Sequence, residues 1–261
     1  CRGGAWLYAL SNNRVSVGLM TDLNYSDPAL SPHELMQLFK QHPKIRSLLD
    51  GGKFLHYGAK TLSKGGYWSL PEPISPGCLI IGDNAGLVNS LRLKGIHLAM
   101  KSGMLAAEAI FSALLAQDYS RQQLMTYPQA LRKSWLHQEM WIARNHHQAM
   151  QYKPIKRILH LVAQHITGGR GLFARYKNRP AHEYLQKYSV AERPVAQPPS
   201  TVDNSISFDL SKRLHHSATA HEADQPVHLR RIDTSICHPR CTEEYNNPCQ
   251  FFCPASVYVI N

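Results

Sequence analysis

The stretch GCLIIGDNAGLVNSLRLKGIHLAMKSG, Gly77 to Gly103, decides the fold class. A short apolar run ends in Gly82-Asp83, a mixed loop follows, and alanine, leucine and methionine then dominate from Gly95 to Leu115. Strand, Gly-Asp, loop and helix in that order predict an α/β (α+β) architecture.

Upstream, Arg14 to Leu23 alternates as a strand does. Ser31-Pro32-His33-Glu34 then opens a helix running to about Lys40, with a serine N-cap, proline at N1 and glutamate at N3. A basic, glycine-punctuated connector leads to a predicted strand from Lys53 to Leu62. Downstream, a second helix is predicted from Ser120 to about His147, with Trp135, Met140 and Trp141 as core residues. Between Met140 and His182 there is no acidic residue, while Arg144, Lys153, Lys156, Arg157, Arg170, Arg175, Lys177 and Arg179 are all basic. Inside that span Ile155, Ile158, Leu159, Val162 and Ile166 recur at helical spacing, which predicts a basic amphipathic helix. Pro194, Pro198 and Pro199 mark a linker, and a small cysteine-containing module begins near Ser205.

The formal charge of +11 over 261 residues attracts polyanions: nucleic acid, anionic lipid headgroups or an acidic protein. No uninterrupted apolar run approaches the roughly 20 residues that span a bilayer, so any membrane contact is expected to be monotopic. The chain opens on Cys1 rather than methionine and its last residues read as an interrupted strand, so it is read as a piece of a longer protein.

Three groups of residues can carry chemistry. Asp83, at a strand end, offers a carboxylate to ribityl hydroxyls, and the helix start at Gly95 offers free N–H groups to the electron-rich edge of a flavin. An apolar strand ending in Gly-Asp also occurs in ordinary α/β turns, and no Gly-x-Gly-x-x-Gly loop is present. Cys237, Cys241, Cys249 and Cys253 crowd the C-terminal end and admit two readings: a four-ligand site, or Cys253 alone as a ligand of an iron–sulfur cluster, with Cys253-Pro254 favouring the second. The basic amphipathic segment points to a lipid surface, where each basic residue contributes about 1 kcal/mol. The neighbouring histidines His146, His147, His215 and His216 diverge on a helix and are assigned no metal.

Tyr57-Gly-Ala-Lys-Thr-Leu62 with Lys64-Gly-Gly66, Leu79 to Asn89, Lys94 to Gly103, Ile206 to Leu210, His221 to Leu229 and Phe252 to Tyr258 resemble, in order, the electron transfer flavoprotein-ubiquinone oxidoreductase family. The resemblance implies part of a glutathione-reductase-like FAD-binding domain, a quinone-binding sheet and the start of a ferredoxin-like [4Fe-4S] module. Residues 1–76 would then belong to the quinone-binding domain and 77–150 to the second half of the flavin domain. Residues 151–190 would form the membrane-surface segment, and 191–261 the linker and incomplete cluster module. It implies FAD, a [4Fe-4S] cluster and ubiquinone, with electron transfer flavoprotein as partner, at the bacterial cytoplasmic or mitochondrial inner membrane. Gly3 and Gly4 match the quinone-contacting pair, Gly82, Asp83, Gly95 and Ile96 the second flavin-contacting region, and Cys253 the first cluster thiolate. No acid–base catalytic residue is implied.

The chain departs from that family where Arg2 replaces tyrosine, where Ile96 and Leu98 replace threonines, and in its extra cysteines Cys237, Cys241 and Cys249. The remaining cluster thiolates are expected beyond Asn261, so the piece by itself is expected to be inactive. A FixC-like or geranylgeranyl-reductase-like flavoprotein would share Gly82-Asp83 but lack the Cys-Pro module. A zinc-containing nucleic-acid-binding protein would interleave its basic residues with aromatics rather than aliphatics, so no nucleic-acid partner is expected.

Overall fold

The computed structural model describes residues 3–188, 203–218, 220, 222, 224–226, 232–253 and 257–258. The proline-marked linker, Arg2 and Pro254 lie outside them. The described chain forms two units, one from residues 1–59 with 180–261 and the other from Lys60 to Arg179.

In the first unit, β1 (Gly3–Leu10) pairs antiparallel with β2 (Arg14–Thr21), in register from Gly3↔Thr21 to Leu10↔Arg14. Asn12 and Asn13 close the turn at φ of 60° and 52°, a conformation that asparagine tolerates best among non-glycine residues. Trp6 lies opposite Gly18, and a Cβ on Gly18 would fall 2.0 Å from the indole, so the glycine is what lets the ring lie flat on the sheet. The Ser31 hydroxyl accepts from the Glu34 N–H at 3.3 Å and starts α1 (Pro32–Gln41), and α2 (Pro43–Leu49) follows. Residues 53–62 carry no strand, contrary to the sequence expectation. An alternating pattern becomes a strand only where an edge pairs with it, and here Tyr57 instead hydrogen-bonds the carbonyl of His216.

The buried face of α1 is polar: His33, Gln37 and Lys40 point inward. They meet the returning chain ahead of and within α9 (Leu210–His216). Gln37 Oε1 accepts from the Phe208 N–H at 3.2 Å, Lys40 Nζ donates to the Ile206 carbonyl, and Arg213 donates to the His33 carbonyl at 3.5 Å. Asp203 folds that return by accepting from the N–H groups of Ser207, Ile206 and Ser205, which hold its carboxyl far below the ordinary range. Arg46 pairs with it at 3.2 Å. The unit ends with α10 (Arg240–Tyr245) and α11 (Cys249–Phe252).

The second unit opens on the two-residue strands β3 (Ile74–Ser75) and β4 (Cys78–Leu79), joined through Pro76-Gly77 with Gly77 at φ 70°, as a Pro-Gly turn requires. A 3-10 turn at Gly82–Ala85 leads to α3 (Ile96–Ala116). α4 (Arg121–Leu124), α5 (Thr126–Lys133), α6 (Trp135–Ile142), α7 (His146–Ala149) and α8 (Pro154–Ile166) follow. The single helix expected over Ser120 to His147 is thus broken, most clearly at Ser134, whose ψ of 160° is extended.

Leu105, Ala106, Ala109 and Ala113 of α3 pack with Ile74, Leu124 and Tyr127, while Leu98 joins Ala85, Leu87, Leu136 and Met140. At 21 residues α3 is long and apolar enough, by length and composition, to cross a bilayer, where unbroken run lengths in the sequence suggested no such element. Its packed alanine-rich face is that of a core helix, while Ile96, Met100, Met104, Phe111 and Leu115 are exposed. Helices with two small antiparallel sheets agree with the mixed α/β (α+β) expectation.

Burial, reinforced by the Arg213 charge, holds the His33 imidazole down at about 4, against 6.5 when exposed. Its contribution is therefore complete above pH 6.5 and is lost as pH falls towards 4, with a ceiling of about 3 kcal/mol. Thermal unfolding followed by circular dichroism should show the midpoint dropping across that window, and His33→Gln should flatten the drop.

Candidate functional site

The Gly82–Ala85 turn and the start of α3 are built against each other. Gly82 sits at φ 59°, its N–H donates to Ser102 Oγ at 3.0 Å, and a Cβ there would lie 3.2 Å from that of Ala99. Gly95 caps α3 without a side-chain acceptor, and a Cβ on it would meet the Leu87 carbonyl at 3.4 Å. Asp83 is left at the surface of this pair. Lys60 reaches its Oδ2 at 3.0 Å, and that hydrogen bond holds the carboxyl below the ordinary carboxylate range. Ile96 is 79% exposed, whereas Leu98 is completely buried in the core. Of these two residues, only Ile96 faces outward.

Sequence reasoning overlooked the residues that lock this corner. Asn89 Nδ2 donates to Glu139 Oε1 at 2.7 Å, while Asn89 Oδ1 accepts from the Leu91 and Arg92 N–H groups and shapes the loop before α3. His97 Nε2 lies 3.0 Å from the same carboxylate and its ring is parallel to that of Trp135. Burial works to raise the Glu139 pKa, but hydrogen bonds from Asn89 and His97 prevail and keep it low. The available signal was that Glu139 is the last acid before the acid-free span, and that Lys60 and His97 sit inside the resembling stretches.

Gly3 and Gly4 begin β1 and differ. A Cβ on Gly3 would lie 2.2 Å from the Met20 carbonyl oxygen, whereas one on Gly4 would meet nothing within 4 Å. Gly3 is required by the hairpin, and Gly4 faces open space.

Cys253 is buried at the end of α11, Cys237 is exposed, and Cys241 and Cys249 are half-buried. Burial pushes the Cys241 and Cys249 thiols up, away from the thiolate form that binds metal. Among the described residues no group of three or more His, Cys, Asp or Glu side chains is placed to hold a metal ion. A [4Fe-4S] cluster takes four thiolates, so these residues do not by themselves fit one.

The predicted amphipathic helix forms as α8 with its aliphatic side outward, in keeping with a lipid-facing helix and the reverse of a core-packed one. His160 and Gln164 are buried, while Ile155, Ile158, Leu159, Val162 and Ile166 are exposed by 51–85%. The inward side is fixed by hydrogen bonds: His160 Nδ1 to Tyr176 Oη at 2.7 Å, and Gln164 Nε2 to the Asn145 carbonyl at 3.3 Å. Asn145, fully buried, ties down the glycine loop that follows. Its Nδ2 lies 2.8–3.3 Å from the carbonyls of Gly169, Arg170, Phe173 and Ala174, and its Oδ1 accepts from Trp68 Nε1 and the Tyr176 N–H.

Family models match both ends of the chain. Residues 1–62 match one described as ETF-QO, ubiquinone-binding, and residues 204–261 one described as electron transfer flavoprotein-ubiquinone oxidoreductase, 4Fe-4S. Relatives named electron transfer flavoprotein-ubiquinone oxidoreductase align with nearly the whole chain. The mitochondrial protein of Oryza sativa subsp. japonica is 41% identical over 98% of this chain, and the Pseudomonas aeruginosa protein is 40% identical over 99%. The mitochondrial protein of Homo sapiens is 37% identical over 98%. The chain spans 44%, 47% and 42% of those relatives' lengths respectively, rather less than half. The two models at the ends of the chain and the relatives aligned along nearly all of it bear one family name. The chain belongs to the electron transfer flavoprotein-ubiquinone oxidoreductase family.

Gly3→Ala should cost about 1–3 kcal/mol by forcing the hairpin apart, while Gly4→Ala stays within about 0.5 kcal/mol of the parent, as chemical denaturation will read. Asn145→Ala strips buried carbonyls of their donor and should cost about 2–4 kcal/mol. Hydrogen exchange should then lose protection at the Gly171, Leu172 and Tyr176 amides before the amides of α3.

Proposed function

We propose that this chain is the quinone-facing and flavin-supporting region of an enzyme that passes electrons from reduced electron transfer flavoprotein to ubiquinone at a membrane surface. The observation that carries the reading is that the ubiquinone-binding match and the 4Fe-4S match, far apart in sequence, lie in one folded unit, apart from the last few residues of the former. Within that unit α1 joins the returning chain through Gln37, Lys40 and Arg213, so the two matched regions are built as one body. The 4Fe-4S match also weighs against a FixC-like or geranylgeranyl-reductase-like flavoprotein.

Roles follow residue by residue. Gly4, with open space where a side chain would stand, lets a quinone carbonyl approach backbone, and Gly3 sets the strand that presents it. Asp83, kept ionised by Lys60, accepts hydrogen bonds from the ribityl hydroxyls of FAD. The uncapped first turn of α3 at Gly95 and Ile96 places its positive end where the reduced ring is negative. Gly82 brings the turn onto α3 and, lacking a side chain, lets its backbone approach the flavin. FAD, when bound, supplies the redox chemistry. Cys253 contributes one cluster thiolate, the others coming from outside the described residues. In this reading residues 1–76 serve the quinone, 77–150 complete the flavin domain, 151–190 rest on the bacterial cytoplasmic or mitochondrial inner membrane, and 191–261 lead into the cluster module.

The test is made on the intact protein, purified anaerobically in detergent. One FAD, four irons and reduction of a soluble quinone by reduced electron transfer flavoprotein are expected, and Asp83→Ala should lower flavin content severalfold while the fold persists. A flavin-free protein that contains zinc would overturn the reading.

A further inference from the structure

We infer that the face presented by α8 and the loop after it recognises anionic phospholipid headgroups, so that charge as well as apolar contact sets its affinity for membranes; this rests on the proposal that the face meets a lipid surface.

The inference starts from the orientation of α8. An amphipathic helix on a globular protein ordinarily hides its aliphatic side, but here His160 and Gln164 occupy the inside and are held there by Tyr176 and the Asn145 carbonyl. Turning the aliphatics inward would break both bonds, so Ile155, Ile158, Val162 and Ile166 are left facing solvent as a feature of the fold. Leu172 and Phe173, exposed in the clamped loop, add to the apolar surface. At 13 residues α8 is about 20 Å long, too short to span a bilayer of about 30 Å, so it can only lie in the interface.

Charge identifies the occupant. Lys153 and Lys156 stand at the start of α8, Arg170, Arg175 and Lys177 follow it, and all are exposed. The nearest acids in sequence are Glu139 and Glu183. Among the described residues Lys153, Lys156, Arg170 and Lys177 have no carboxylate partner. A neutral leaflet would cover the aliphatics but leave these cations with only water. An anionic leaflet satisfies both, because the aliphatics enter the acyl boundary while lysine and arginine reach the phosphates. Nucleic acid fits less well, since it offers nothing to the exposed isoleucines.

The test is co-sedimentation of the intact protein, freed of detergent, with vesicles of phosphatidylcholine alone and of phosphatidylcholine mixed with phosphatidylglycerol. Each basic side chain near the surface changes partitioning about fivefold, so Lys153→Gln/Lys156→Gln/Lys177→Gln should lose about 100-fold on the mixed vesicles and change little on the neutral ones. Raising the salt concentration should weaken the parent and barely affect the variant. Ile155→Gln/Ile158→Gln/Val162→Gln should weaken binding to both kinds of vesicle. All six positions are exposed, and circular dichroism checks that each variant keeps the fold.

Equal binding of the parent to neutral and mixed vesicles, or full binding by the lysine variant, overturns the inference while leaving the membrane reading intact. Binding to neither kind of vesicle overturns both. Dimeric sedimentation that the isoleucine variant abolishes, without vesicle binding, would assign the face to a second copy instead and likewise overturn both.

Discussion

The buried side chain of Asn145 ties Trp68 and Tyr176 to the glycine loop that follows α8. One amide carries both functions its neighbours lack: an acceptor for the Trp68 indole and the Tyr176 amide, and a donor for the carbonyls of a loop that has turned back on itself. The loop needs that donor because Gly168, Gly169 and Gly171 all take positive φ, which points carbonyls inward where no helix or strand can pair them. A Cβ on Gly169 would lie 1.9 Å from the Ile142 carbonyl oxygen, so the glycines admit the loop and Asn145 keeps it. With the loop fixed, Tyr176 is fixed, and through Tyr176 so is the rotation of α8. The outward aliphatic face is therefore a consequence of where polar groups had to be satisfied, not of where apolar ones preferred to be.

The first unit follows the same logic. His33, Gln37 and Lys40 are not apolar anchors, yet they are the buried stripe of α1, and each addresses a backbone or side-chain group with a fixed direction. Hydrophobic contact tolerates sliding; a hydrogen bond from Phe208 to Gln37 does not. A chain that returns from beyond residue 200 needs that directional constraint to find one register, and Asp203 supplies the local turn on which it depends. The cost is a buried lysine whose pKa burial lowers to about 8, steadied by the Ile206 carbonyl and by the rings of Phe208 and Phe54.

Periodicity and capping made α1, α3 and α8 legible, because those signals are local. They could not say which side of a helix faces in. In α1 and α8 the answer depends on groups outside the helix, Phe208 for one and Tyr176 for the other; for α8 the acid-free, basic character of the segment pointed outward, where a hydrophobic stripe alone would have pointed in. The strand expected over Lys53 to Leu62 failed for a related reason: β structure needs an available edge, and sequence alternation carries no information about one. Of the candidate site, the glycine and aspartate positions could be read because backbone constraints leave a residue-type signature, whereas Lys60, Asn89 and Glu139 act through contacts that only the fold creates.

The glycines of the Gly82 to Gly95 corner serve two different ends. Gly82 is needed by its positive φ and by packing, since a Cβ there would press on Ala99, whereas a Cβ on Gly95 would reach the Leu87 carbonyl only at ordinary contact distance. Gly82 does not have to touch a ligand for its identity to matter. Asp83 has no such packing duty; it lies beside Lys60 at the surface, ionised and with oxygen lone pairs to spare. The corner thus divides its parts: Gly82 brings the turn onto the helix start, Glu139 holds the intervening loop through Asn89 and the helix start through His97, and the Asp83 carboxylate stays at the surface beside Lys60. Ile96, standing outward at the first turn of α3, gives this corner an apolar edge, so polarity there comes from backbone N–H groups, the helix dipole and the neighbouring His97 held by Glu139.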